Sequence, residues 1–174
     1  GKCYPLFSRD QLIDQMPSMR KKFIRYRDYS GKTLDDIFTT PEKKDMDVYK
    51  TNFFESGVLI NEGNNDFRFE AFPEKAQLST INDMVAGDMD NDGIKDILVC
   101  GNSSDAAVMV GNIEATGALL LKGTGQGKFT AIPPAEDGLT VRGEARKIVY
   151  LKDKKGASMI FLKNDAAAQV FVRE

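Results

Sequence analysis

Residues 57 to 73 align without a gap to residues 117 to 133, an offset of 60 (117 minus 57), and this internal repeat constrains the fold more than any other feature of the chain. Gly57, Leu59, Gly63, Phe69, Ala71 and Pro73 meet Gly117, Leu119, Gly123, Phe129, Ala131 and Pro133. Each copy reads as an apolar run, a Gly-rich turn, a second run and a proline stop, which is the grammar of a β-hairpin. A weaker echo at an offset of 63 places Val85-Ala86 over Ile148-Val149, Gly93 over Gly156, and Ile97-Leu98-Val99 over Ile160-Phe161-Leu162. Each unit thereby gains a second pair of strands. The runs Asp96 to Cys100 and Ser158 to Leu162 are continuously apolar after their first residue, as in strands covered on both faces. About four strands per unit suits a propeller blade, but a closed ring needs ~4 to 8 blades. The 174 residues hold two to three units. The expected fold is therefore mainly β, with two to three antiparallel four-stranded propeller-type blades in a partial propeller or open arc.

An N-terminal α-helical segment is expected ahead of them, with residues 1–52 capping or packing on the repeats and residues 53–174 forming the β-repeat region. Ser8 with Gln11 and Thr33 with Asp36 have capping-box spacing, and Thr40-Pro41 is a third helix start. Met19, Phe23 and Tyr26 recur at helical spacing before Gly31, which predicts one apolar helix face across them. Arg20, Lys21, Arg25 and Arg27 lie on the opposite face, and with Asp28, Asp35 and Asp36 nearby they read as a solvated surface.

Between the two copies of the hairpin runs Asp88-Met-Asp90-Asn-Asp92-Gly-Ile-Lys-Asp96. Its carboxylates fall at the first, third, fifth and ninth places of the loop, with Gly93 at the sixth. Calcium takes six to eight hard oxygen ligands, and alternate residues of a tight loop can turn toward one centre. Gly93 allows the sharp turn, and the Ile94 carbonyl is a further candidate ligand. One Ca²⁺ site is expected, on Asp88, Asp90, Asp92, Ile94 and Asp96. Magnesium prefers a rigid octahedron and softer metals want Cys or His, so both fit less well. An EF-hand would need Glu where Val99 stands, with helices on each side. In the following unit the corresponding positions are Leu151, Asp153, Lys155 and Met159, so that loop is expected to close without metal.

The chain has no histidine, which removes His-based triads, His bases and His-containing metal sites. A net charge of -2 gives no field that would draw it to nucleic acid, and no apolar run is long enough for a membrane helix. Cys3 and Cys100 are compatible with one disulfide, but Cys100 ends an apolar run and Cys3 lies near the terminus, so the unpaired reading is preferred. Gly123 to Lys128 has a phosphate-loop look, yet Phe129 to Ile132 continues as strand where such a loop needs a helix, so it reads as a hairpin turn. The chain starts at Gly1, which suggests a processed or trimmed product, so the lack of a secretion signal says little about compartment.

Residues 85 to 99, Val-Ala-Gly-Asp-Met-Asp-Asn-Asp-Gly-Ile-Lys-Asp-Ile-Leu-Val, resemble the FG-GAP or VCBS repeat of integrin-α-like β-propellers, and residues 119 to 129 are similar to that family's following hairpin. The helical stretch, Leu59 to Gly63 and Ala76-Gln77 also look like the C-terminal region of large bacterial repeat proteins of the ASPIC/UnbV type. The resemblance implies calcium held in a blade, an exported or cell-surface (extracytoplasmic) protein, and a role in adhesion or assembly. The expected function is a non-catalytic, calcium-stabilised module for protein or glycan interaction. Its other expected partners are the remaining blades of a longer parent chain. The alternative is part of a calcium-dependent carbohydrate-active enzyme, polysaccharide lyase-like, with its catalytic groups elsewhere; no catalytic residue is assigned here.

Overall fold

The computed structural model describes residues 1–44, 46–104, 111–115, 117–152 and 156–173. The chain divides into two compact units, Gly1–Asn52 and Phe53–Glu174.

The first unit consists of short helices: α1 (Arg9–Gln15), α2 (Met19–Lys22), α3 (Tyr26–Tyr29), α4 (Leu34–Ile37) and α5 (Thr40–Lys44). Both capping boxes are in place. The Gln11 N–H donates to Ser8 Oγ while Gln11 Oε1 accepts from the Ser8 N–H at 2.8 Å, and Asp36 does the same for Thr33. Leu12, Ile13, Met19, Phe23, Tyr29, Ile37 and Phe38 form the core of this unit. Met19 and Phe23 are buried as the helical spacing requires, but Tyr26 is 64% exposed and Tyr29 takes its place. The expected continuous helix breaks after α2. The Arg9 guanidinium donates to the carbonyls of Phe23 and Ile24 at 2.7 and 3.0 Å, and Asp28 accepts the Arg25 N–H, which ends one helix and starts the next.

The second unit is mainly β, with three antiparallel sheets. They are the hairpin β1 (Gly57–Gly63)–β2 (Asp66–Ala71), the four-stranded meander β3 (Ile81–Gly87)–β4 (Asp96–Gly101)–β5 (Ala118–Gly125)–β6 (Lys128–Ile132), and the three-stranded β7 (Ala145–Lys152)–β8 (Ala157–Lys163)–β9 (Ala166–Arg173). A 3-10 turn over Glu74–Gln77 and α6 (Pro134–Asp137) follow the two hairpins, each behind a proline. The Gln77 side chain clasps the start of β1, accepting the Ser56 N–H and donating to the Ser56 carbonyl, both at 2.8 Å.

Both copies of the repeat are hairpins, but their turns correspond at an offset of 62 (125 minus 63), not 60. Gly63, Asn64 and Asn65 have φ of 90°, 50° and 64°, and Gly125, Gln126 and Gly127 have 88°, 54° and 77°. Each turn follows a bulge, between Asn61 and Gly63 and between Gly123 and Gly125. A slip of two residues keeps every side chain on its own face, which is why the ungapped alignment still matched apolar positions.

The central sheet is covered on both sides, and every residue of β4 is buried. On one face Ile97, Val99, Leu119 and Leu121 pack with Val58, Phe72 and Ala76 from the first hairpin and its exit. On the other face Leu98, Cys100 and Ala118 pack with Ala145, Ile148, Met159 and Phe161 of the third sheet. The edge strands β3 and β7 are also linked. Asp83 on β3 accepts the Ile148 N–H of β7 at 2.8 Å and the Lys147 ammonium at 3.2 Å. Burial raises the Asp83 pKa, but these donors and the Met84 N–H outweigh it and leave the carboxyl below its usual range.

The 63-residue echo keeps its pairing register, since Val85 pairs with Leu98 and Ile148 with Phe161. These corresponding positions meet in one core, so on this correspondence the two sheets touch through like faces. A ring of blades joins unlike faces. The first hairpin does join the central sheet that way, because Val58, the counterpart of Leu120 at an offset of 62 (120 minus 58), lies against Leu119 and Leu121.

Both cysteines are free, Cys3 exposed and Cys100 buried. Burial, reinforced by the charge on Asp83, pushes the Cys100 thiol up to about 11.

Candidate metal centre

The loop joining β3 to β4 carries the aspartates. Gly87 pairs with Asp96 at its base, and its path reverses at Asn91 and Gly93, with φ of 65° and 84°. Gly123 on β5 lets the loop settle on the sheet, because a Cβ there would lie 2.3 Å from the Lys95 carbonyl oxygen.

Asp88, Asp90 and Asp96 each bring a carboxylate oxygen to within 4.8 Å of the others. Two oxygens that each lie ~2.4 Å from one calcium can be at most ~4.8 Å apart, so this spread is compatible with a shared ion. Asp92 stands outside that cluster. Its Oδ1 accepts the Ile94 N–H at 2.8 Å, and its Oδ2 lies 3.2 Å from the Lys122 ammonium. Ile94 is at the exposed end of the turn, with its Cγ2 against position 123. Of the expected ligand residues, the carboxylates of Asp88, Asp90 and Asp96 are brought together, with Asp92 and Ile94 in the turn beside them. The second-unit positions Asp153 and Lys155 lie outside the described residues.

Asp96 is the anchor. It is 1% exposed, and its two oxygens accept the Met89 and Gly123 N–H groups, each at 2.9 Å. Asp88 accepts from the Asp92 and Gly93 N–H groups, both at 3.1 Å, and Asp90 accepts from Asp92 at 3.2 Å. These backbone donors offset much of the repulsion among the neighbouring carboxylates.

Among the described residues three cations complete the surroundings, and none was read from the sequence. Lys122 donates to Asp90 and also reaches Asp92. Lys152 donates to the Asp88 carbonyl at 2.7 Å and to Asn91 Oδ1 at 2.8 Å. Arg173 donates to the Met89 carbonyl at 2.7 Å. The hydrogen bond from Lys122 holds the Asp90 carboxyl below its usual range, and Asp90 and then Asp92 raise the Lys122 ammonium. Lys122 reaches the loop because β5 pairs with β4, Leu121 opposite Ile97, which sets the next residue beside the end of the strand where Asp96 stands.

A cavity of about 630 Å³ opens beside the loop, lined among others by Lys122, Leu120, Tyr150, Met159, Phe171 and Arg173. Tyr150 Oη is buried with no hydrogen-bond partner among the described residues, and burial raises its pKa. The donor set of the loop itself is entirely hard oxygen, the kind that a hard dication such as calcium takes. No family model, curated protein or solved structure matches the chain.

Proposed function

We propose that this chain is a non-catalytic, calcium-stabilised β-repeat module of the FG-GAP/VCBS type, serving protein or glycan interaction or scaffolding in an exported or cell-surface protein. The observation that carries the reading is the convergence of Asp88, Asp90 and Asp96 within 4.8 Å at the β3–β4 loop. Bound there, calcium would fasten the loop to β5 through the neighbourhood of Gly123, a structural role and not a chemical one. The sheets act as propeller-type blades in an open arc that further blades of a longer parent chain extend. This is supported by the apolar residues left exposed at both outer faces of the stack: Leu59 and Phe67 on the first hairpin, Leu151, Val170 and Val172 on the third sheet.

The test is thermal unfolding with calcium or chelator. A ligand that binds only the folded state adds RT ln(1 + [L]/Kd), about 2.7 kcal/mol at a hundredfold excess over Kd. The midpoint is expected to rise with calcium. Asp90→Ala should abolish the rise and Asp92→Ala should weaken it less. A melting curve unmoved by millimolar calcium in the unaltered chain would sink the reading.

A further inference from the structure

We infer that Lys122 is a built-in surrogate cation that competes with calcium for the aspartate loop and sets the affinity of the site, an inference that rests on the calcium reading above. Lys122 projects from β5, a strand fixed on both edges by β4 and β6, so its ammonium is delivered to the loop by the sheet and not by the loop itself. It bridges Asp90, one of the three converging carboxylates, and Asp92 beside it. A dication bound to Asp90 and an ammonium bound to the same carboxylate repel each other, so the two cations exclude one another. Calcium entry therefore displaces Lys122 from Asp90. The adjoining cavity, whose lining includes Lys122 together with Glu136 and Asp137, offers the displaced ammonium a second acidic environment.

Lys152 makes an informative contrast. It lies against the same loop, where among the described residues it donates to the Asp88 carbonyl and the Asn91 amide oxygen and to no carboxylate. It steadies the turn from outside and does not occupy the place of an ion. Both lysines carry one positive charge beside the loop, but only Lys122 is placed on its carboxylates, so Lys152→Met measures what a charge at the rim contributes.

The experiment is calcium titration by calorimetry on the whole chain, for the unaltered protein, Lys122→Met and Lys152→Met, with thermal unfolding of each in chelator and in calcium. Lys122→Met is expected to bind calcium roughly five- to thirtyfold more tightly, the lower figure being the loss of a half-exposed ion pair and the upper the relief of repulsion between a dication and an ammonium. In chelator its midpoint should fall below that of the unaltered chain, because Asp90 and Asp92 lose their counter-charge, and calcium should restore it. Lys152→Met should change the affinity less than Lys122→Met. Equal calcium affinity in the unaltered chain and Lys122→Met would overturn the role of Lys122 while leaving the calcium site standing. No calcium binding in any of the three proteins would overturn the site itself.

Discussion

Replacing Asp96 with Ala is expected to destabilise the β-unit by about 2 to 5 kcal/mol, because two buried backbone donors lose their acceptor at once, each worth ~1 to 3 kcal/mol. The donors are the Met89 and Gly123 N–H groups, and Asp96 is 1% exposed, so water has little access to replace the lost carboxylate. At this size the thermal midpoint should drop by roughly 10 °C or more. Asp96→Asn should fall between, since one oxygen still accepts while the amide nitrogen faces a donor. Denaturant unfolding in chelator reads the effect without any contribution from calcium. A loss below ~1 kcal/mol, the net worth of one ordinary hydrogen bond, would show that Asp96 does not anchor the loop.

The second large effect lies in the core between the central and third sheets. Leu98 is 0% exposed and packs in the core that includes Ile148 and Phe161. Leu98→Ala should cost about 3 to 5 kcal/mol, from the lost transfer of the side chain and the cavity left in a strand covered on both faces. Met84, on β3, is 47% exposed. Met84→Ala should change stability by no more than ~0.5 kcal/mol. Similar losses at the two positions would mean that the two sheets do not share a core.

Much of this architecture was legible because the sequence repeats its own hairpin. The Gly-rich turns, the proline stops and the uninterrupted apolar run of β4 all announced antiparallel strands, and the loop between β3 and β4 was visible from alternate aspartates. The turn offset was misjudged by two residues because the side-chain period of a strand is two, and a two-residue slip preserves apolar matching. Tyr26 was misplaced for a different reason. The spacing Met19, Phe23, Tyr26 is helical, but Arg9, ten residues before the first of them, reaches across to take the carbonyls of Phe23 and Ile24. A contact at that sequence distance leaves no trace in local periodicity.

The site was legible in its acids and not in its bases. Asp88, Asp90 and Asp96 announced themselves by spacing, whereas Lys122, Lys152 and Arg173 come to the loop from three other strands and have no local pattern. Asp92 was counted as a ligand because it keeps the alternation; one of its oxygens accepts the Ile94 N–H and the other lies 3.2 Å from the Lys122 ammonium. Alternation shows which residues can face inward. Only the sheet shows which of them do.

The most direct measurement is a crystal structure grown in millimolar calcium, with anomalous scattering used to identify the ion. An anomalous peak within ~2.3 to 2.6 Å of oxygens from Asp88, Asp90 and Asp96, with the Lys122 ammonium turned away from Asp90, is the expected result. Lys122 still bridging Asp90 and Asp92, with no peak among the three carboxylates at that concentration, would contradict it.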